Sequence, residues 1–293
     1  MSKIIVTGAT GHFGKAAIES LIQKSVEKTS ITGLVRDESK ASDLKELGVN
    51  IAIGDYNDTA SLTKAFIGND VLLFVSGSDL ENRTAQHENV VKAAKEAGIK
   101  HVLYTSFVLD KHDNNSPLTF LADSHIRTEK LITDSGIPYT FLRNNLYMDF
   151  VPAFIGEQAV ETGTIYLPAK NGLASVALRS EMAEATAQVI ASGGHQNKIY
   201  DFTNVESYSY DDVANYLSDI TGKTIQFVSP SGDEYTQTLV DAGVPVEFAS
   251  TFSSFAVAQA QGELDVISTN LNDLLGRKPT TLKDYLKTIY SIK

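Results

Sequence analysis

The segment Thr7-Gly8-Ala9-Thr10-Gly11-His12-Phe13-Gly14 constrains the fold more tightly than any other stretch of the chain. It follows the apolar run Ile4–Thr7 and leads into a helical pattern at Lys15–Gln23. That strand–glycine–helix context separates a phosphate-binding turn from a merely structural one. Gly8 permits the tight turn, Gly11 lets the backbone approach a pyrophosphate, and Gly14 lets the helix pack closely on the strand. The start of the helix then offers free N–H groups and a partial positive charge. Ala9, Thr10, His12 and Phe13 complete this candidate dinucleotide cradle.

The rest of the N-terminal half has the rhythm that such a motif requires. Apolar runs at Ile31–Val35, Ile51–Ile53, Val71–Val75, Val102–Thr105 and Thr140–Leu142 read as continuous strands, as expected when helices cover both faces of a parallel sheet. Helical patterns at Ser39–Leu47, Thr59–Phe66, Thr84–Ala97 and Asp123–Ser135 lie between them. Six strands with five crossovers predict an α/β, doubly wound parallel sheet, the Rossmann arrangement, over residues 1–150. Beyond it the rhythm changes. Helices are expected at Ser180–Ile190, Tyr210–Thr221, Asp233–Ala242 and Leu282–Tyr290, with short strands near Ser175–Ala177, Ile199–Phe202 and Ile225–Val228. Residues 151–293 therefore read as a smaller α+β lobe, interleaved with the first and placed for substrate.

Strand two ends in Gly33-Leu34-Val35-Arg36-Asp37. A carboxylate at this turn suits the ribose 2′-hydroxyl of NAD, and a cation suits the 2′-phosphate of NADP. Arg36, with Lys40 four residues on, favours NADP(H) over NAD(H), although Asp37 alongside works against it. Ligands of open α/β sheets bind beyond the strand C-termini. The loops Ser76-Gly77-Ser78 and Thr105-Ser106-Phe107 therefore face the nicotinamide half, and Arg143-Asn144-Asn145 with Tyr147 and Phe150 should line the same cleft. Phe107, Tyr147 and Phe150 offer faces on which a flat aromatic acceptor can stack.

Composition removes other classes of function. A formal net charge of −11 and no basic block argue against a nucleic-acid partner. With no cysteine there is no disulfide, thiolate nucleophile or Cys-ligated zinc. No H-E-x-x-H occurs, and no metal site is expected. The apolar runs fall short of the ~20 residues that span a bilayer, and Met1-Ser2-Lys3 runs straight into a strand with no signal-type segment. The expected setting is cytoplasmic, away from membranes, as a monomer or a homodimer.

The glycine spacing is G-x-x-G-x-x-G. Together with Leu34-Val35-Arg36, Gly54-Asp55-Tyr56, His125-Ile126-Arg127-Thr128-Glu129-Lys130 and Tyr139-Thr140-Phe141-Leu142-Arg143-Asn144, it resembles the NmrA-like group of atypical short-chain dehydrogenase/reductases. Within that group it is most similar to bacterial type 2 quinone reductases and triphenylmethane reductases. The resemblance implies that Asp55 reaches the adenine amino group and that Asn144 lies near the nicotinamide ribose or carboxamide. It also places His125 and Glu129 where the superfamily carries its catalytic Tyr and Lys.

That Tyr-x-x-x-Lys pair is missing. Its one match, Tyr166 to Lys170, contains Pro168 and lies beyond the sixth strand, so it is rejected. His125 remains either a proton donor, with an unperturbed pKa near 6.5, or a structural residue held by Glu129 at i,i+4 on a polar helix face. Without the pair, the chemistry that fits is hydride transfer from NADPH to an electron-poor acceptor such as a quinone, whose hydroquinone anion water can protonate, or to a cationic dye that needs no proton. Two alternatives stand: an NmrA-like dinucleotide sensor without turnover, and a sugar-nucleotide epimerase-like reductase, which the absent Tyr disfavours. Arg179-Ser180-Glu181 reads as a helix start that packs the two parts together.

Overall fold

The short N-terminal strand and the glycine turn behind it set the position of everything that follows. The computed structural model describes residues 2–108 and 115–291. The strands are β1 (Ile4–Val6), β2 (Ile31–Val35), β3 (Asn50–Ile53), β4 (Val71–Phe74), β5 (His101–Phe107), β6 (Tyr139–Asn144), β7 (Thr164–Tyr166), β8 (Lys198–Phe202) and β9 (Gln226–Val228). Seven of them form one parallel sheet in the order β3-β2-β1-β4-β5-β6-β8. The chain reverses its direction of winding between β1 and β4, and this opens a crevice beyond their C-termini.

Helices cover both faces. On one side α1 (His12–Gln23) buries Phe13, Ala17, Ile18 and Leu21. On the other lie α3 (Thr59–Phe66), α4 (Arg83–Glu96) and α5 (Thr119–Ser135), with α2 (Ser42–Leu47) following β2. Asp58 caps α3 through the amides of Ala60 and Ser61, so it leaves Asp55 free of that duty. The apolar runs of the inner strands are buried on both faces, and Ile5, Leu72, Leu73 and Leu103 are fully enclosed.

The second half adds the short strand β7 and three brief helices to the elements expected, and it differs more deeply in three places. The strand expected at Ile199–Phe202 in the smaller lobe is β8, paired in parallel with β6 as the seventh strand of the main sheet. Its outer end is exposed, which gives it the mixed composition of an edge. No strand forms at Ser175–Ala177. Those residues make isolated bridges only, and the Ser175 hydroxyl bonds the carbonyls of Leu264 and Val266 instead of entering a ladder. A long helix, α11 (Val246–Ala260), occupies a stretch in which no helix is expected from periodicity. It runs on small residues, Ala249, Ser253, Ala256 and Ala258, that blur the apolar stripe.

Between these lie α6 (Val151–Ile155), α7 (Ala159–Thr162), α8 (Arg179–Ser192), α9 (Tyr210–Thr221), α10 (Gly232–Asp241), α12 (Asn270–Leu275) and α13 (Leu282–Tyr290). Ser209 and Asp212 form a reciprocal capping box at the start of α9. A separate apolar cluster, with Phe154, Leu167, Leu217 and Leu286, gathers the C-terminal helices and the small β7–β9 sheet. Among the described residues no helix is long and apolar enough to cross a membrane.

Glu181 fastens the end of the chain to α8. It is 5% exposed, and it accepts from Arg277 and from both the amide and the hydroxyl of Thr280. Removing it leaves the half-buried Thr280 donors without their partner, while the exposed Arg277 keeps Glu184. Glu181→Ala is expected to cost about 1–3 kcal/mol of folding stability, read from the urea midpoint at constant slope.

Candidate active site

A cleft of about 680 Å³ follows the switch point from the end of β2 to α5 and the start of α8. Gly8, Thr10, Gly11, His12, Phe13, Gly14, Arg36, Asp55, Ser76, Gly77, Ser78, Ser106, Phe107, His125, Asn144, Asn145, Tyr147 and Phe150 all line it. Three expected residues do not. Ala9 is fully buried and presses its methyl toward Gly33. Thr105 turns its hydroxyl to the amide of Ser76. Arg143 is turned to Glu129. These three support the cleft wall rather than form it.

At the mouth of α1, Gly8 takes φ +57°, a conformation that favours glycine. A Cβ on Gly14 would lie 2.4 Å from the Gly8 carbonyl oxygen. Gly14 therefore lets the helix start sit directly on the turn. Gly11 caps α1 without a side chain, and no acid stands in the first turn. The first N–H groups of α1 thus meet no built-in anion. At the β2 end Arg36 is exposed on the cleft. Asp37 turns its carboxylate to the amide of Ser39. Asp55 accepts from the amide and side chain of Asn57.

Beyond β4, β5 and β6 the cleft is built differently from a Tyr-Lys site. Tyr166 ends β7 and Lys170 has φ +45°, so the one Tyr-x-x-x-Lys match lies on no helix. His125 is 4% exposed, not on a polar face, and Glu129 does not hold it. Its Nδ1 meets the Tyr104 hydroxyl at 2.8 Å and its Nε2 lies 3.4 Å from an Arg83 N–H. The guanidinium can only donate, so Nε2 accepts and the single proton of the neutral ring sits on Nδ1, toward Tyr104. Burial first, then Arg83 and His87, hold the ring well below its ordinary pKa. His125 is thus a neutral ring with its proton turned into the core, the reverse of what a donor in the cleft needs. Glu129 accepts two bonds from Arg143, at 3.0 and 2.8 Å, and one from Ser106 at 2.7 Å.

Two arginines in the cleft had no expected part in it. Arg83 opens α4 and Arg179 opens α8. The Arg179 guanidinium lies 4.6 Å from the Tyr147 ring centre and 5.0 Å from that of Phe150. It occupies ring faces that were expected to be open for stacking. A signal existed in the sequence: a cation in the first turn opposes the helix dipole, so each needs a reason outside its own helix. Asn144 donates to the Tyr147 hydroxyl, while its own Oδ1 is buried without a partner, as are Nε of Arg83 and Nε of Arg179. Burial raises the Tyr147 pKa, and Asn144 opposes this, so the phenol stays protonated.

The family model for the NmrA-like family matches residues 1–286. The chain belongs to the NmrA-like family. It is 36% identical to quinone oxidoreductase 2 of Escherichia coli over 289 residues, 99% of each chain. The E. coli structure of NADPH-dependent quinone oxidoreductase QOR2 in complex with NADPH superposes with a TM-score of 0.93 at 35% identity, covering 98% of this chain and 100% of that one. Triphenylmethane reductase of Citrobacter sp. gives 0.91 at 38% identity, with 98% of each chain covered.

The buried rings also set how this site responds to acid. His87 accepts from the Gly77 amide at Nε2 and donates from Nδ1 to Thr128. Burial, helped by Arg83, pushes it from 6.5 down to about 3. The unfolded chain takes up this proton near pH 6.5 and the folded chain does not, so stability is full above 6.5 and declines as the pH falls. At pH 5 the loss from His87 alone is about 2 kcal/mol. Urea midpoints at pH 7 and pH 5 should differ by at least this much, and His87→Asn should reduce the difference, leaving the part that comes from His125. A wild-type midpoint that ignores pH over this range contradicts the assignment.

Proposed function

We propose that the protein is an NADPH-dependent oxidoreductase that passes a hydride to a quinone or a similar conjugated aromatic acceptor. The observation that carries this is one continuous cleft joining a glycine-built helix mouth and Arg36 to an aromatic pocket where His125 and Glu129 replace the Tyr-Lys pair. The names of the relatives, a quinone reductase and a structure with NADPH bound, support the same activity.

The residues fit the cofactor. The close approach at Gly14 and the uncapped α1 start make a seat for the pyrophosphate, and Arg36 is placed for the 2′-phosphate. The unpartnered Asn144 Oδ1 suits a donor on the nicotinamide side. Residues 1–150 thus carry the dinucleotide, and residues 151–293 close the acceptor side. When bound, NADPH supplies the hydride. The chain's own work is orientation: Phe107, Tyr147 and Phe150 bound the acceptor and keep water from the transfer path. No proton need come from the protein, because the hydroquinone anion is delocalised and water protonates it.

Steady-state NADPH oxidation with benzoquinone, naphthoquinone and a cationic triarylmethane dye tests the activity. Tight NADPH binding with no turnover on any acceptor would leave a dinucleotide sensor in its place. Arg36→Glu is expected to shift the NADPH-over-NADH preference on the order of 100-fold, by removing a charge-assisted phosphate contact and adding repulsion. An unchanged preference would remove Arg36 from the cofactor site.

A further inference from the structure

A guanidinium keeps its proton at any pH a protein meets. Burying one therefore commits the fold to a full charge and to the cost of dehydrating it. Buried cations are ordinarily paired with carboxylates. Arg83 is 6% exposed, yet among the described residues no carboxylate forms an ion pair with it. Asp79, whose charge it feels, is taken up by the amide and side chain of Asn82 and by Gln86. The bonds that Arg83 makes are long and go to neutral groups: 3.3 Å to the Ser124 hydroxyl and 3.4 Å to His125 Nε2. Its Nε is buried with no partner. The residue lines the cleft and lies against α5, beside the position where the superfamily would carry its acid.

We propose that Arg83 is a catalytic residue whose guanidinium receives the acceptor oxygen that becomes negative as the hydride arrives. This rests on the hydride-transfer reading above. A quinone that takes up a hydride gains one hydrogen and two electrons, leaves as the hydroquinone monoanion, and gains its last proton from water; NADPH is the reductant. A fixed, dehydrated cation stabilises that oxyanion without any proton transfer, and it costs no reorganisation during the reaction. This is the part that a catalytic Tyr would otherwise play, and His125 cannot play it, since its Nε2 faces Arg83 as an acceptor. The same charge makes the pocket selective. It favours acceptors that turn anionic and disfavours cations, which form no oxyanion.

The test needs two readouts. The first is Arg83→Gln, with Arg83→Lys as the charge-keeping control, assayed on 1,4-benzoquinone and on the cationic dye crystal violet. Arg83→Gln should lower kcat for the quinone by about 100-fold, the usual effect of losing one oxyanion donor. NADPH affinity and dye reduction should hold or rise, and Arg83→Lys should recover part of the quinone rate. The second readout requires no turnover. 4-Nitrophenol, whose neutral and ionised forms absorb at different wavelengths, is titrated into the wild type with NADP⁺ present. Bound nitrophenol should be ionised at a pH where the free compound is not, and Arg83→Gln should abolish this. Equal losses on quinone and dye would overturn the proposal. So would bound nitrophenol that ionises as it does in water. If the wild type turns over no acceptor but still ionises nitrophenol through Arg83, the oxyanion site stands and the reductase activity falls.

Discussion

The cleft depends on one backbone contact. Gly14 sits so close to the Gly8 carbonyl that a single added carbon would lie 2.4 Å from its oxygen. This approach brings the start of α1 onto the β1 turn and exposes its amides at the switch point. The neighbouring packing follows from it: Phe13 and Ala17 enter the core, and Ala9 fills the space over Gly33. A bulkier residue at position 14 would push the helix off the sheet, and the amides would no longer converge beyond β1 and β4. The mouth of α1 is thus fixed by what a glycine omits, and the phosphate seat needs no charged side chain of its own.

Electrostatics then divide the cleft. The chain carries a net charge of −11, yet Arg36, Arg83 and Arg179 all line the site. The acids nearby are occupied. Asp37, Asp55 and Asp79 accept from neutral neighbours, and Glu129 is paired with Arg143 and accepts from Ser106. Local field rather than overall charge decides what the cleft attracts. Arg179 is partly quenched by the rings beneath it, whereas Arg83 has only neutral partners.

Much of this was legible in the sequence, and the exceptions have a common cause. Strands β1, β2, β4, β5 and β6 announce themselves because both faces are largely buried, the edge strand β3 shows only through its apolar run, and α9 and α13 match their expected spans because Ser209 and Thr281 cap them through side chains. The glycine motif shows its role through spacing and context alone. β8 was visible as a strand but not as a member of the main sheet, since a strand's own residues do not say which edge it joins. Helix α11 stayed hidden because its buried face is made of alanine and serine. Thr105 and Arg143 sit at the right strand ends but point to neighbours. Side-chain direction at the end of a strand is decided by partners distant in sequence, Ser76 for one and Glu129 for the other.

His125 and Glu129, at the positions the resemblance assigned to a Tyr-Lys pair, are the most informative part of the site. An isolated ketone becomes a localised alkoxide and needs an acid within reach. Here the acid position holds a neutral imidazole with its proton turned to Tyr104, and the lysine position holds a carboxylate already satisfied by three hydrogen bonds. Neither can deliver a proton into the cleft. A tyrosine at position 125 alone would not make a Tyr-Lys site, because Glu129 would stand where a cation must lower the phenol's pKa. The two positions are coupled through the same helix, and both are locked by residues from other strands. The packing of α5 on β5 and β6 thus fixes both side chains, and on the proposed reading this suits acceptors that can hold the incoming charge until solvent supplies the proton.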